Sequence, residues 1–239
     1  MKRISCAVVA LFAAAVVLAS PAPAHADYLD ALAAYKSGDY PAAAREFRAL
    51  ADGGHAEAQF SLGVMYDRGE GVPQDYARAA EWFRRAADQG LPEAQTNLGV
   101  YYQRGWGVSQ DYAAAADLYR KAADQGYAAA QYNLGVLFEI GKGVPQDYAK
   151  AASWYAKAAE KDHATAQYNL GTLFETGKGV PADPVQAHVW FNLAAAKLPR
   201  GSQRDAAVAE RDAVARLLTP EQLATAQKRA REWVETRGE

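Results

Sequence analysis

The stretch GVPQDYARAAEWFRRAADQG, residues 71–90, recurs almost unchanged as GVSQDYAAAADLYRKAADQG at residues 107–126 and as GVPQDYAKAASWYAKAAEKD at residues 143–162. The three copies are spaced 36 residues apart. A fixed period of roughly 20 to 50 residues is typical of solenoids, in which each unit buries its apolar face only against its neighbours. The sequence therefore predicts a row of stacked units.

Each unit carries the pattern of two helices. The first, near residues 56–68, ends at Gly69, because glycine readily adopts the left-handed conformation that stops a helix. The second begins after Asp75, whose carboxylate can cap free amide groups, and ends at Gly90. Capping explains the recurring aspartates better than an acidic ligand site does. They are Asp75, Asp111, Asp147 and Asp183.

Glycines recur at two kinds of position. One lies inside the first helix, where glycine costs about 1 kcal/mol relative to alanine, so we predict close packing of two helices there. The other is a Gly-x-Gly pair in the loop, which we interpret as a structural turn rather than a phosphate site. The helix glycines are Gly63, Gly99, Gly135 and Gly171, and the loop pairs are 69/71, 105/107, 141/143 and 177/179.

The unit AEAQFSLGVMYDRGEGVPQDYARAAEWFRRAADQG, residues 56–90, closely resembles the Sel1-like repeat (SLR), a branch of the tetratricopeptide class. Glycines, alanines and aromatics at many fixed offsets carry this resemblance. It implies an all-α, right-handed solenoid of antiparallel helix hairpins. We place four units at residues 56–91, 92–127, 128–163 and 164–198.

The segments flanking the array differ from the repeat. Residues 27–55 match the second half of a unit after a short turn, which predicts a tetratricopeptide-like capping hairpin at the N-terminal side. Residues 199–239 predict C-terminal capping helices, the last of which begins with a capping box of Thr219 and Gln222. An apolar stripe on this helix that includes Trp233 and Val234 is expected to cover the fourth unit.

Residues 1–26 have the pattern of a cleaved signal peptide. Lys2 and Arg3 precede an apolar run, and Ala24-His25-Ala26 supplies small residues for cleavage after Ala26. The run of 13 apolar residues is shorter than the ~20 that a membrane-spanning helix needs. We therefore expect an exported, periplasmic protein without a membrane-inserted segment after cleavage.

Composition argues against several functional classes. Removal of the leader leaves 24 basic and 28 acidic residues, a formal charge of −4, and removes Cys6, the one cysteine. A mildly acidic chain without a basic face is a poor match for nucleic acid. His55 and His163 lie three units apart, too far to share a metal ion. We predict no catalytic residues, no metal and no cofactor.

In tetratricopeptide-type stacks the first helix of each unit lines the concave side, so the resemblance implies a groove there. Aromatic and aliphatic residues flanked by acids suit an extended or a helical peptide, and the rim of the groove favours basic residues in that peptide. Asparagines in the same helices could bind a peptide backbone or make a structural hydrogen bond. The predicted groove residues are Phe60, Val64, Asp67, Thr96, Asn97, Val100, Gln103, Tyr132, Asn133, Val136, Glu139, Tyr168, Asn169, Thr172 and Glu175.

The favoured function is a non-enzymatic scaffold or adaptor of the bacterial cell envelope that binds a partner protein or peptide in this groove. Two alternatives stay open. One is binding or hydrolysis of a cell-wall fragment or β-lactam, although the exported relatives associated with such activity are rich in cysteine. The other is a structural envelope protein that associates with itself.

Overall fold

The computed structural model describes residues 28–237, so the predicted signal peptide lies outside the described residues. Within this range the chain forms twelve α-helices and no strand. The predicted all-α solenoid of antiparallel helix hairpins is confirmed. The helices are α1 Tyr28–Ser37, α2 Tyr40–Asp52, α3 Ala56–Arg68, α4 Tyr76–Asp88, α5 Pro92–Arg104, α6 Tyr112–Asp124, α7 Ala128–Ile140, α8 Tyr148–Ala159, α9 Ala164–Thr176, α10 Pro184–Lys197, α11 Ser202–Ala215 and α12 Pro220–Glu235.

Helices pack almost entirely against their neighbours in the chain. The first helices of the repeats, α3, α5, α7 and α9, each form a hairpin with the second helix that follows, α4, α6, α8 or α10. Each second helix then packs against the first helix of the next unit. Apolar residues between these layers, such as Leu62, Phe83 and Leu134, are fully buried. The buried residues therefore follow the row of units and do not form one central cluster.

The second helices begin at capping aspartates, as predicted. Asp75 Oδ1 accepts a hydrogen bond from the Arg78 amide at 3.0 Å, and Asp147 Oδ1 accepts one from the Lys150 amide at 2.9 Å. Each cap satisfies one of the amide groups that lack a partner in the first turn of a helix. Asp111 and Asp183 cap α6 and α10 in the same way.

The helix glycines allow each hairpin to close tightly. A Cβ atom built on Gly63 would lie 2.7 Å from the Phe83 ring, and one on Gly99 would lie 2.6 Å from the Tyr119 ring. Gly135 and Gly171 meet aromatic rings in the same manner. The prediction of close helix packing at these positions is confirmed.

The loop glycines join one unit to the preceding one. Gly71 has φ +71°, and a Cβ atom built on it would lie 2.2 Å from the carbonyl oxygen of Tyr40. Gly107 approaches the backbone of Tyr76 in the same way, 36 residues later. The Gly-x-Gly pairs are structural turns, as predicted. The second glycine of each pair also lets the loop contact the start of the preceding second helix.

Buried glutamines make a second connection between units. Gln59 Nε2 donates a hydrogen bond to the Ala51 carbonyl at 3.1 Å, and Gln95, Gln131 and Gln167 repeat this bond to Ala87, Ala123 and Ala159. Carbonyl groups in the last turn of a helix lack an intrahelical partner, and these side chains supply one. The buried amide therefore stabilises the junction between neighbouring units.

Helices α11 and α12 both pack against α10. The predicted capping box at Thr219 and Gln222 is present at the start of α12. Trp233 meets Trp190 edge to face, with 4.9 Å between the ring centroids. The prediction for Val234 is wrong, because this residue is 53% exposed. Within residues 28–237, no helix is both long and apolar enough to cross a bilayer.

Candidate partner-binding groove

The predicted groove residues lie in a row along the four first helices. Helix α5 contacts α7 directly, so the first helices of the second and third units lie side by side. With the exception of Thr96, every predicted residue is half-buried. We call this row the groove stripe. Its members are Phe60, Val64, Asp67, Asn97, Val100, Gln103, Tyr132, Asn133, Val136, Glu139, Tyr168, Asn169, Thr172 and Glu175.

Thr96 does not belong to this surface. Its side chain is buried, and its hydroxyl group donates a hydrogen bond to the Pro92 carbonyl at 2.7 Å. A threonine hydroxyl commonly bonds the carbonyl one turn earlier in its own helix. The prediction that Thr96 contacts a partner is therefore wrong.

Acidic and amide groups in the groove stripe accept hydrogen bonds from core tyrosines. The Tyr119 hydroxyl donates to Gln103 Oε1 at 2.8 Å, and the Tyr155 hydroxyl donates to Glu139 Oε2 at 2.5 Å. Burial and the bond to Glu139 raise the pKa of Tyr155, so this tyrosine remains a donor at any physiological pH. Gln103 and Glu139, which the sequence predicts only as partner-binding residues, therefore also have a structural role.

Asp67 completes this pattern by accepting a hydrogen bond from the Tyr101 hydroxyl. Burial and that bond raise the pKa of Tyr101. A carboxylate has two oxygens and about four acceptor positions, so one bond to tyrosine leaves capacity for a partner. The tyrosine hydroxyl holds the carboxylate in a fixed position.

Glu175 is the exception at the C-terminal end of the groove stripe. The residue that corresponds to Tyr155 is Phe191, which has no hydroxyl group to donate. Burial and the nearby Glu210 carboxylate raise the pKa of Glu175. The end of the groove stripe next to α11 therefore has two neighbouring acids, and a cation between them would relieve their repulsion.

A cavity lies at each end of the groove stripe. The N-terminal cavity has a volume of about 170 Å³ and is mainly apolar, lined by Leu32, Tyr35, Phe47, Phe60, Ser61 and Val64. The C-terminal cavity has about 280 Å³ and is more polar, lined by Tyr132, Thr165, Tyr168, Asn169, Leu198, Gln203 and Ala206. Sequence reasoning did not find either cavity, because the residues that close them come from α1, α2 and α11, which flank the four repeats.

Asn169 has a structural contact as well as a place in the groove stripe. Its side chain lies close enough to the Tyr155 hydroxyl to lower the pKa of that tyrosine, against the larger effects of burial and of Glu139. This proximity favours the structural interpretation that the sequence left open for this asparagine. It also links the first helix of the fourth unit to the second helix of the third.

The two histidines at the same register are helix caps. His55 Nδ1 accepts a hydrogen bond from the Ala58 amide at 3.3 Å, and His163 Nδ1 accepts one from the Ala166 amide at 3.2 Å. The His163 ring also stacks on Tyr132, with 4.7 Å between ring centroids. Among residues 28–237, no cluster of three His, Cys, Asp or Glu side chains could hold a metal ion.

A stack of two-helix units, with the first helices side by side on one face, is typical of helical repeat proteins. The chain belongs to the Sel1 repeat family, whose model matches residues 56–91, 92–127, 128–163 and 164–197. Proteins with Sel1 repeats are generally protein-interaction scaffolds without enzymatic activity. No significant match was found among curated proteins.

Two solved structures are similar to this chain along most of its length. One is a protective antigen of uropathogenic Escherichia coli strains with an SLR fold, which is 28% identical, has a TM-score of 0.69 and covers 87% of this chain. The present chain spans 54% of that structure's chain. The other is a Sel1 repeat protein from Oxalobacter formigenes, which is 27% identical, has a TM-score of 0.68, and covers 88% of this chain and 98% of its own.

Proposed function

We propose that this protein is a non-enzymatic scaffold of the bacterial cell envelope that binds a segment of a partner protein in the groove stripe. The observation that carries the proposal is the row of half-buried side chains across four consecutive first helices, with a cavity at each end. Half-buried side chains are already partly ordered by their packing, so they lose little conformational entropy when a partner binds.

The two ends of the groove stripe favour different partner chemistry. The apolar N-terminal cavity suits an aliphatic or aromatic side chain. At the C-terminal end, Glu175 and Glu210 favour a lysine or arginine. The proposed partner segment therefore has an apolar residue at one end and a basic residue at the other. Binding strength is expected to come mainly from the apolar contact, and orientation from the charge.

The leader supports the location in the cell envelope. Residues 1–26 combine a basic start, an apolar run and a small-residue cleavage pattern. We propose that the mature chain works in the periplasm. A fusion of residues 1–26 to a reporter that is active only after export tests this part independently of the groove.

Site-specific photocrosslinking in intact cells tests the groove. A photoreactive residue replaces Val100 or Val136 in the groove stripe, and Asp117, exposed on α6, serves as the control position. We expect one partner to be captured from both groove positions and not from position 117. Equal capture from all three positions would contradict a role of the groove. A crosslinked product that contains two copies of this chain would instead indicate self-association.

The affinity for the captured segment then separates apolar from charged contacts. Val136→Arg places a bulky cation in the groove stripe and is expected to weaken binding by about tenfold or more, the usual loss for a central contact. Asp117→Arg on α6 introduces the same side chain outside the groove and should change the affinity less than about twofold. Unchanged affinity for the Val136 variant would refute the proposed surface.

A further inference from the structure

His188 departs from the repeat pattern, which has alanine at this position in the earlier units. The residues at this register in the preceding second helices are Ala44, Ala80, Ala116 and Ala152, all buried, whereas the fourth repeat has histidine. The His188 side chain is also buried, with 4% of its surface exposed. Helices α11 and α12 pack against α10 in place of a fifth repeat, and their different geometry leaves room for an imidazole ring.

The His188 ring has an unsatisfied polar atom. Its Nδ1 atom is buried and has no hydrogen-bond partner among residues 28–237. Burial, and then the Arg211 guanidinium, lower the pKa of His188, so the ring is neutral at pH 7. Buried polar atoms in folded proteins nearly always have a partner, so an unpaired one beside a cavity calls for an explanation, such as a bound water molecule or ligand.

A cavity of about 400 Å³ adjoins this histidine between α10, α11 and α12. The Arg211 and Arg231 side chains line it together with one acid, Asp212, so the cavity has an excess of one positive charge while His188 is neutral. Arg211 is paired with Asp212 at 2.7 and 2.8 Å. Arg231 forms no ion pair or hydrogen bond with the described residues. One guanidinium group thus remains available to an anion.

The other residues that line the cavity indicate which kind of ligand it could bind. Asn192 and Gln227 add amide donors, while Ala215 and Leu223 form an apolar wall. A guanidinium group matches the two oxygens of a carboxylate, and the apolar wall suits a short hydrocarbon chain. Ligand sites commonly have volumes of about 300 to 1,000 Å³, so this cavity is large enough for a small organic molecule.

We propose that the cavity between α10, α11 and α12 binds a carboxylate with a short apolar chain, held by Arg231 and contacting His188. The site shares no residue with the groove stripe and lies at the junction between the repeats and the C-terminal cap. The carboxylate of such a ligand would balance the excess positive charge of the cavity. The ligand would also contact all three helices at once. Binding would therefore stabilise the C-terminal cap.

Butyrate, with butyramide as its neutral analogue, tests the site. The imidazole signals of the purified protein are followed by NMR, and the His188 signal is identified by its loss in His188→Gln. We expect butyrate to shift this signal saturably and butyramide to leave it in place. Arg231→Gln should weaken the butyrate affinity by about tenfold, as expected for loss of a charged hydrogen bond. Arg229→Gln, exposed on the same helix, should change it less than about twofold.

The same titration distinguishes a free carboxylate from the C-terminus of a peptide. Trialanine with a free C-terminus is compared with its C-terminal amide. Preference for the free C-terminus over both the amide and butyrate would identify a peptide as the source, and preference for butyrate would identify a small metabolite. The proposal is overturned if neither carboxylate saturates the signal, if the neutral analogues bind equally well, or if both arginine variants lose affinity equally.

Discussion

The buried glutamines differ between the early and the late units in one hydrogen bond. Gln89 donates to Gln59 Oε1 at 2.7 Å, and Gln125 donates to Gln95 Oε1 at 3.0 Å. The corresponding residue in the third unit is Lys161, and Gln131 Oε1 has no hydrogen-bond partner among the described residues. A buried acceptor without a donor costs about 1 to 3 kcal/mol.

Lys161→Gln should repair this defect. The new amide is expected to donate to Gln131 Oε1, as its counterparts do in the first two units, and to raise the free energy of unfolding by about 1 kcal/mol. Urea denaturation measures the change. Lys121→Gln, which removes an exposed lysine from α6, is the matched control and should have little effect. If both variants gain the same stability, the effect comes from net charge and not from the hydrogen bond.

His163 makes the cap of α9 sensitive to pH. Burial lowers its pKa below the ordinary value of 6.5, and Nδ1 must be unprotonated to accept the Ala166 amide. As the pH falls, the unfolded chain takes up the proton first. The stability contributed by neutral His163 is therefore complete above about pH 6.5 and declines as the pH falls towards and through the lowered pKa of the folded state.

The variant His163→Asn should flatten this pH dependence, because asparagine is a good helix cap and does not titrate. Thermal unfolding between about pH 5 and 8, the range where histidine titrates, measures the slope of stability against pH. Part of the slope should remain, since burial also lowers the pKa of His188. A variant with the full slope of the original protein would show that His163 is not the responsible group.

Loops between helices depend on glycine for two separate reasons. Gly90, between α4 and α5, has φ +92° and open space where a Cβ atom would lie. Gly107, between α5 and α6, has φ +61° and a Cβ position 2.3 Å from the backbone of Tyr76. The first position demands only an unusual backbone conformation. The second also demands the absence of a side chain, because two units touch there.

Gly107→Ala should therefore be much more damaging than Gly90→Ala. At position 90, backbone strain should lower the free energy of unfolding by about 1 to 2 kcal/mol. At position 107, where overpacking is added, the loss should be about 3 kcal/mol or more. Urea denaturation of the two variants gives the comparison. Equal losses would mean that the loop of the second unit moves away from α4 at little cost.

Within residues 28–237, helices contact mainly their neighbours in the stack, so stability need not be uniform along the solenoid. Helices α5 to α8 have repeats on both sides, whereas α1 and α12 lie at the ends of the described array. In such an array stability is approximately a sum of unit terms and nearest-neighbour interfaces. Amide hydrogen exchange should therefore be slowest in α5 to α8 and faster towards both ends.

Trp233→Ala tests how far a disturbance spreads. Loss of the contact with Trp190 should cost about 2 kcal/mol, less than for a fully buried tryptophan because Trp233 is half-buried. Faster hydrogen exchange is expected in α10 and α12 and not in α3 or α4. Faster exchange along the entire chain would contradict the nearest-neighbour description.

The groove could be predicted only in part. The period located the first helices, and from them followed the row of half-buried residues from Phe60 to Glu175. Thr96 was misplaced because helical spacing gives the direction of a residue but not how closely the next helix covers it. The hydrogen bond from Tyr101 to Asp67 joins residues 34 positions apart, so no local pattern could reveal it.

Helix boundaries, caps and turns follow from short stretches of chain, because a capping aspartate or a left-handed glycine acts within a few residues of itself. The 36-residue period then fixes the neighbour of each unit, and with it the solenoid. The chemistry of the surfaces required the folded chain. Whether a carboxylate is free or held by a tyrosine, and whether His188 adjoins a cavity, depends on side chains that distant segments bring together.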